Sequence, residues 1–285
     1  MSKLTCVMSC PIDTLSGYGA RARDFAKSLI KLKGDEWDIM FMSQKWGNTP
    51  FGALDENDPE EADIKSRILP PGPLGKQPDI WIQITVPNEF QKVGKYNIGV
   101  TAGIETTVAP KDWVDGCNKM DLIIATSNFS KDVLLSTVYD ERNKTTNELN
   151  NQHKITKPIE VLFEGVDTSI FNDVINKDFK LDIKENFAFL FVGHWLKGNI
   201  GQDRKDIGML IKCFVEAFKD GNDMPALILK TSSSSFSIKE REVFTKRIKD
   251  IVSDIKNPPS VYLLFGDLSN KEMNDLYNHP KIKLM

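Results

Sequence analysis

Apolar positions in this chain fall into short buried-type runs separated by amphipathic stretches. Leu4–Ser9 reads as a strand, Ala20–Leu32 as a helix carrying Phe25, Leu29, Ile30 and Leu32 on one side, and Trp37–Met42 as a second strand bounded by Gly34 and the polar turn at 44–48. Residues 47–75, rich in Pro, Gly, Asp and Glu, predict an irregular excursion with at most one short strand. Three more apolar runs follow, Asp79–Val86, Tyr96–Thr101 and Asp121–Thr126. Between the last two, Pro110 opens a helical segment reaching Met120. A helix capped by Ser127 or Asn128 runs to about Thr137. Residues 139–156, YDERNKTTNELNNQHKIT, hold almost nothing apolar and predict a solvent-facing insertion that builds no core.

The alternation then resumes. Ile159–Phe163, Phe187–Val192, Ala226–Lys230 and Val261–Phe265 read as strands; Lys205–Phe218, Ile238–Ile255 and Lys271–Tyr277 read as helices. Strands alternating with helices throughout imply an α/β fold of mostly parallel sheets with helices on both faces, in two blocks, 1–165 and 166–285. Lys281–Met285 begins another strand as the sequence stops. The expectation is a natural protein that continues, an incomplete second block, and a last strand left unpaired or frayed at 281–285.

Composition narrows the classes. A length of 285 residues leaves room for two domains, and 40% hydrophobic with 27% charged residues excludes global disorder. A net charge of −3 counts against a chain built to coat nucleic acid, so no stable nucleic-acid binding is expected. No run approaches the ~20 apolar residues of a transmembrane helix, and the N-terminus is too polar for a signal peptide. Cys6, Cys10, Cys117 and Cys213 lack C-x-x-C spacing and are read as reduced, which implies a cytoplasmic location. His153, His194 and His279 form no metal-binding pattern, so no metal is expected.

Two loops carry candidate chemistry. Phe191-Val192-Gly193-His194-Trp195 ends a strand, and Arg204-Lys205 opens the following helix; a strand-end glycine with a basic pair at a helix N-terminus suits a phosphate, although a basic pair is also an ordinary solvated helix end. Earlier, Gly17 and Gly19 lie in SGYG before the helix at Ala20, either as amides offered to an anion or as a flexible turn. The glycines lie well past the strand end and no acidic residue ends the second strand, which argues against a nicotinamide or flavin site. Glu105 and Thr106 follow a buried strand, where Glu105 serves either the hydroxyls of a ligand or the cap of the next helix; Trp113 reads as a core anchor before a stacking platform. The acidic stretches Asp55–Asp58 and Glu60–Asp63 read as solvated surface.

Taken in order, SGYG, Glu105-Thr106-Thr107 with Pro110 and Trp113, Asp121 to Ser127, Gly165-Val166-Asp167 with Phe171, Gly193 and Arg204-Lys205 resemble the GT-B glycosyltransferases, specifically the retaining family 4, or group 1, type. The resemblance covers nearly the whole chain. It implies two facing Rossmann-like domains, an acceptor-side domain at 1–165 and a nucleotide-sugar-binding domain at 166–285. It implies transfer of a sugar from a nucleotide-diphosphate donor to a hydroxyl acceptor without a metal or other cofactor. By the same resemblance Lys205 and Arg204 are catalytic on the leaving diphosphate, and Gly17, Gly19, Gly193 and His194 lie beside its phosphates. Glu105 and Thr106 are acceptor-side, and Gly165 and Asp167 interdomain, with a structural role equally open for these last two. Two departures stand out. His194 occupies a position where many members carry arginine, with Lys197 a candidate substitute, and the family's E-x7-E segment would fall beyond Met285. A non-catalytic carbohydrate-binding protein of the same fold and a nucleotide-sugar epimerase are the competing readings.

Overall fold

In the computed structural model, which describes residues 3–197, 200–233 and 235–284, the strands sort into two separate parallel sheets and one antiparallel hairpin. The chain divides into two units, Met1–Gly165 and Val166–Met285, each built around its own sheet.

The first unit runs β1 (Leu4–Cys10), α1 (Gly17–Lys33), β2 (Trp37–Ser43), α2 (Pro59–Ser66), β3 (Ile80–Ile84), β4 (Tyr96–Thr101), α3 (Lys111–Cys117), β5 (Leu122–Ala125), α4 (Asn128–Ser136), β6 (Tyr139–Arg142), β7 (Leu149–His153) and β8 (Ile159–Val161). Its six-stranded sheet has the order β2-β1-β3-β4-β5-β8. Period-two alternation sends Cys6, Met8 and Cys10 of β1 to one face, where they pack with Ala22 and Ala26 of α1, and sends Val7 to the other, with Trp81, Phe90 and Ile123. Both faces are covered, as a parallel sheet requires.

The second unit runs β9 (Ala188–Val192), α5 (Ile207–Phe218), β10 (Ala226–Lys230), α6 (Ile238–Val252), β11 (Val261–Leu264), α7 (Asn270–Tyr277) and β12 (Ile282–Leu284), with sheet order β11-β10-β9-β12. Leu227 and Leu229 of β10 join one core with Trp195, Ile211 and Phe244, while Ala226 and Ile228 join the opposite core with Leu190 and Leu276. Cys6, Cys10 and Cys117 are buried free thiols, and Cys213 is exposed on α5. Among the described residues no helix is long and apolar enough to cross a membrane.

Several elements differ from the sequence expectation, each for a local reason. The excursion at 47–75 contains α2, capped by Asp58, whose carboxylate accepts from the amides of Glu60 (2.8 Å) and Glu61 (3.3 Å). Glu61 is therefore not purely solvated surface: it pairs with Lys27 of α1 at 3.1 Å. The polar insertion is a hairpin, β6–β7, anchored where Tyr139 donates to the Ala109 carbonyl (2.6 Å) and where Ile155 enters the core. The helix expected to reach Met120 ends at Cys117. The last strand is not unpaired: β12 runs parallel to β9, with Ile282 opposite Ala188 and the Ala188 amide donating to the Lys281 carbonyl.

Candidate functional site

The carboxyl ends of β9, β10 and β11 gather the chemistry of the second unit, the edge at which open α/β sheets bind ligands. Beyond β9 the chain keeps pairing with the segment after β10. The Gly193 amide donates to the Lys230 carbonyl (3.1 Å) and the Trp195 amide to the Ser232 carbonyl (2.9 Å). This ladder brings Gly193, His194, Lys230 and Ser232 into one patch, where the Ser232 hydroxyl lies 3.4 Å from His194 Nδ1. Trp195 anchors it from below, fully buried and stacked on Phe244 at 5.5 Å.

Lys205 reaches this patch from the other side. Its Nζ lies 5.8 Å from the centre of the Phe191 ring, and a Cβ built on Gly193 would stand 2.5 Å from it. The glycine, at φ +158°, leaves the space the ammonium uses. Arg204 and Lys205 do not open the helix as expected. α5 begins at Ile207, and the pair sits in the turn before it, because Asp206 adopts a left-handed conformation (φ 43°) and caps the helix through the Met209 amide. Both Arg204 and Lys205 are exposed, and Lys205 is the one whose ammonium lies beside Gly193.

Asp203 sets that arrangement. Its buried carboxylate accepts from the amides of Leu196 (2.9 Å), Lys197 (3.1 Å) and Lys205 (3.1 Å), tying the loop after β9 to the turn before α5. Lys230, at the end of β10, donates to the Gly266 carbonyl after β11 and lies 5.4 Å from the Phe236 ring centre. Burial lowers its pKa below the usual lysine value, against the opposing charge of Asp267. Beside it the buried Thr231 hydroxyl has no hydrogen-bond partner among the described residues. Sequence reasoning missed both Asp203 and Lys230. The signals were a carboxylate adjoining the basic pair and a lysine ending an apolar run before a serine tract.

In the first unit Gly17 and Gly19 form no loop; they lie in the first turn of α1, capped by Ser16. The Gly19 amide is taken by the Ser16 hydroxyl (2.9 Å), and a Cβ there would lie 2.2 Å from the Thr14 carbonyl oxygen, so packing accounts for that glycine. At Gly17 a Cβ would meet open space. Glu105 and Thr106 lie in an exposed loop, where Thr106 donates to the Val108 carbonyl (3.0 Å). Glu105 does not cap α3, whose N-cap is Pro110 with no side-chain bond, and Trp113 packs against the core. Gly165 is exposed. Asp167 begins a turn, accepting from the Ser169 amide (2.9 Å) and hydroxyl (2.6 Å). Among the described residues no cluster of His, Cys, Asp and Glu could hold a metal ion.

No family model and no curated protein matches the sequence. Solved structures do match in fold. The apo structure of OtsA superposes with a TM-score of 0.50 over 96% of this chain and 76% of its own, at 13% identity. The N-terminal domain of trehalose-6-phosphate phosphatase from Candida albicans gives 0.49, covering 98% of this chain and 75% of its own at 11% identity. A UDP-forming α,α-trehalose-phosphate synthase from Burkholderia xenovorans also gives 0.49, covering 97% and 76% at 10% identity. The OtsA likeness is one of fold, and it places the chain in the Rossmann-like, GT-B-like α/β architecture.

Proposed function

We propose that this chain is a glycosyltransferase that takes a sugar from a nucleotide-diphosphate donor and delivers it, with retention, to a hydroxyl acceptor. The observation that carries this reading is the ammonium of Lys205 held against Gly193 at the carboxyl edge of the second sheet, in the same patch as Lys230 and His194. Two lysines and a strand-end glycine at such an edge suit a dianionic ligand that needs close backbone approach. The motif resemblance then specifies a nucleotide-diphosphate sugar.

The chemistry follows from charge. As the glycosidic bond breaks, negative charge grows on the leaving diphosphate, and a cation fixed beside it stabilises the transition state more than the bound donor. Lys205 supplies that cation, Arg204 adds exposed positive potential beside it, and Lys230 and His194 hold the phosphates. Asp203 acts through Lys205 as a positioning residue. Retention rests on the resemblance.

Titration calorimetry of the chain with UDP, GDP and ADP tests the reading. Saturable binding of at least one, weakened in Lys205→Ala, is the expected result. No binding by any of them, or binding indifferent to Lys205→Ala, overturns it.

A further inference from the structure

The helix α5 is apolar around nearly its whole circumference: of its twelve residues only Lys212 and Glu216 are charged. Ile207, Ile211, Phe214 and Val215 pack into the core of the second unit. A second set, Met209, Leu210, Cys213 and Ala217, follows the spacing of a different face and stays exposed, Met209 to 39% and Leu210 to 36%. The neighbouring α6 instead turns Arg241, Glu242, Lys246 and Lys249 outward. Single exposed apolar side chains are ordinary, but a continuous stripe on a helix that is apolar all round marks a contact face.

The pattern of the stripe indicates what covers it. In a second copy of α5, turned antiparallel about Cys213, Met209 of each helix comes opposite Ala217 of the other, large against small. Lys212 and Glu216 flank the stripe on one side, four positions apart. The same turn sets Lys212 of each copy near Glu216 of the other, so one surface supplies two opposite-charge pairs and is its own complement. A parallel alignment would set lysine against lysine and glutamate against glutamate. Antiparallel helices also bring the partial positive charge of each N-terminus beside the C-terminus of the other. Glu216 pairs with Lys219 at 2.6 Å, an exposed pair that exchanges partners at little cost, and Lys212 has no ion-pair partner among the described residues.

We propose that α5 is the contact between two copies of this chain, in an isologous dimer whose two-fold axis passes at Cys213. The dimer does not depend on the transferase reading. One helix face is small against the roughly 1,200–2,000 Å² of a stable interface, so the two copies associate and separate with concentration.

Sedimentation of the full chain over about a hundredfold range of concentration tests the dimer. The weight-average mass should rise from that of one copy towards that of two. Met209→Glu should hold the chain at one copy with its melting temperature unchanged, because position 209 is exposed. Lys212→Glu alone and Glu216→Lys alone should each weaken dimerisation roughly tenfold, since two pairs turn repulsive at once. Mixing these two variants, or combining both changes in one chain, should restore it. The mass of one copy at every concentration, a dimer indifferent to Met209→Glu, or no recovery on mixing overturns the proposal.

Discussion

The ammonium of Lys205 occupies the space that a side chain at position 193 would claim: a Cβ on Gly193 would lie 2.5 Å from Nζ and 3.2 Å from Cδ. Gly193→Ala is therefore expected to push the lysine off the strand edge without unfolding the unit, since the far end of a lysine moves easily. Nucleoside diphosphate affinity should fall, with a stability loss of about 1–3 kcal/mol from the strained backbone. In a double-mutant cycle with Lys205→Ala the binding losses should be less than additive, because both changes remove the same interaction. Additive losses by calorimetry would uncouple the two residues.

Lys205→Ala should lower turnover more than it weakens donor binding. By analogy with deletion of one donor from an oxyanion hole, the rate loss is roughly 10²–10³. Steady-state kinetics read this as a fall in kcat that exceeds the change in donor affinity. Full activity in the variant would return Lys205 to the role of a solvated turn residue.

Lys230 carries a pH signature. Burial lowers its pKa, so on raising the pH it loses its charge before an ordinary lysine does. Diphosphate affinity should accordingly decline in the alkaline range below the usual lysine value of about 10.4, and Lys230→Arg should move that decline to higher pH. Identical alkaline profiles for wild type and Lys230→Arg would remove Lys230 from the phosphate site.

Transfer activity should survive chelation. The acidic residues that stood out in sequence are engaged elsewhere: Asp58 caps α2, and Glu61 pairs with Lys27. In the proposed reaction the lysines would supply the charge that a divalent ion supplies in metal-dependent sites. Loss of turnover in EDTA, restored by manganese or magnesium, would require a different donor site.

A buried knot in the first unit should make its stability acid-sensitive. The Asn97 side chain, fully buried, donates to Asp121 (3.0 Å) and to the Gly94 carbonyl (3.1 Å), and accepts from the amides of Val93 (2.9 Å) and Gly94 (2.8 Å). The hydrogen bond from the Asn97 side chain holds Asp121 below the usual aspartate range. A carboxyl depressed in the folded state stabilises above its unfolded pKa, about 3.9, and that contribution fades as the pH falls through the folded value. Melting temperatures between pH 5 and 2 should fall more steeply in wild type than in Asp121→Asn. Asn97→Ala, which orphans several buried groups at once, should cost about 1–3 kcal/mol or more at neutral pH.

The α/β class was legible because parallel strands buried on both faces must be written as dense apolar runs, and Leu227 to Leu229 is such a run. α2 was not, because Ile64 is its one buried residue and its stability comes from a cap and from ion pairs rather than an apolar stripe. The pairing of β12 was equally hidden, since three residues of strand carry no local record of Ala188 as their partner. At the candidate site the sequence read Gly193 and Lys205 together as one phosphate-side motif, but not the contact between them. What joins them is the turn imposed by Asp206 and the three amides gathered by Asp203, both tertiary effects.

The distribution of thiols makes the molecule ready for spectroscopy without redesign. Burial pushes Cys6 and Cys117 up to about 12 and Cys10 higher still, so at neutral pH only about one part in 10⁵ or less of each is reactive thiolate. Cys213, exposed on the helix that follows the Lys205 turn, is left as the natural attachment point for a fluorophore or spin label. A single maleimide should modify the folded chain there, giving a reporter on α5 that answers to ligands at the second unit's strand edge while the first unit stays unlabelled.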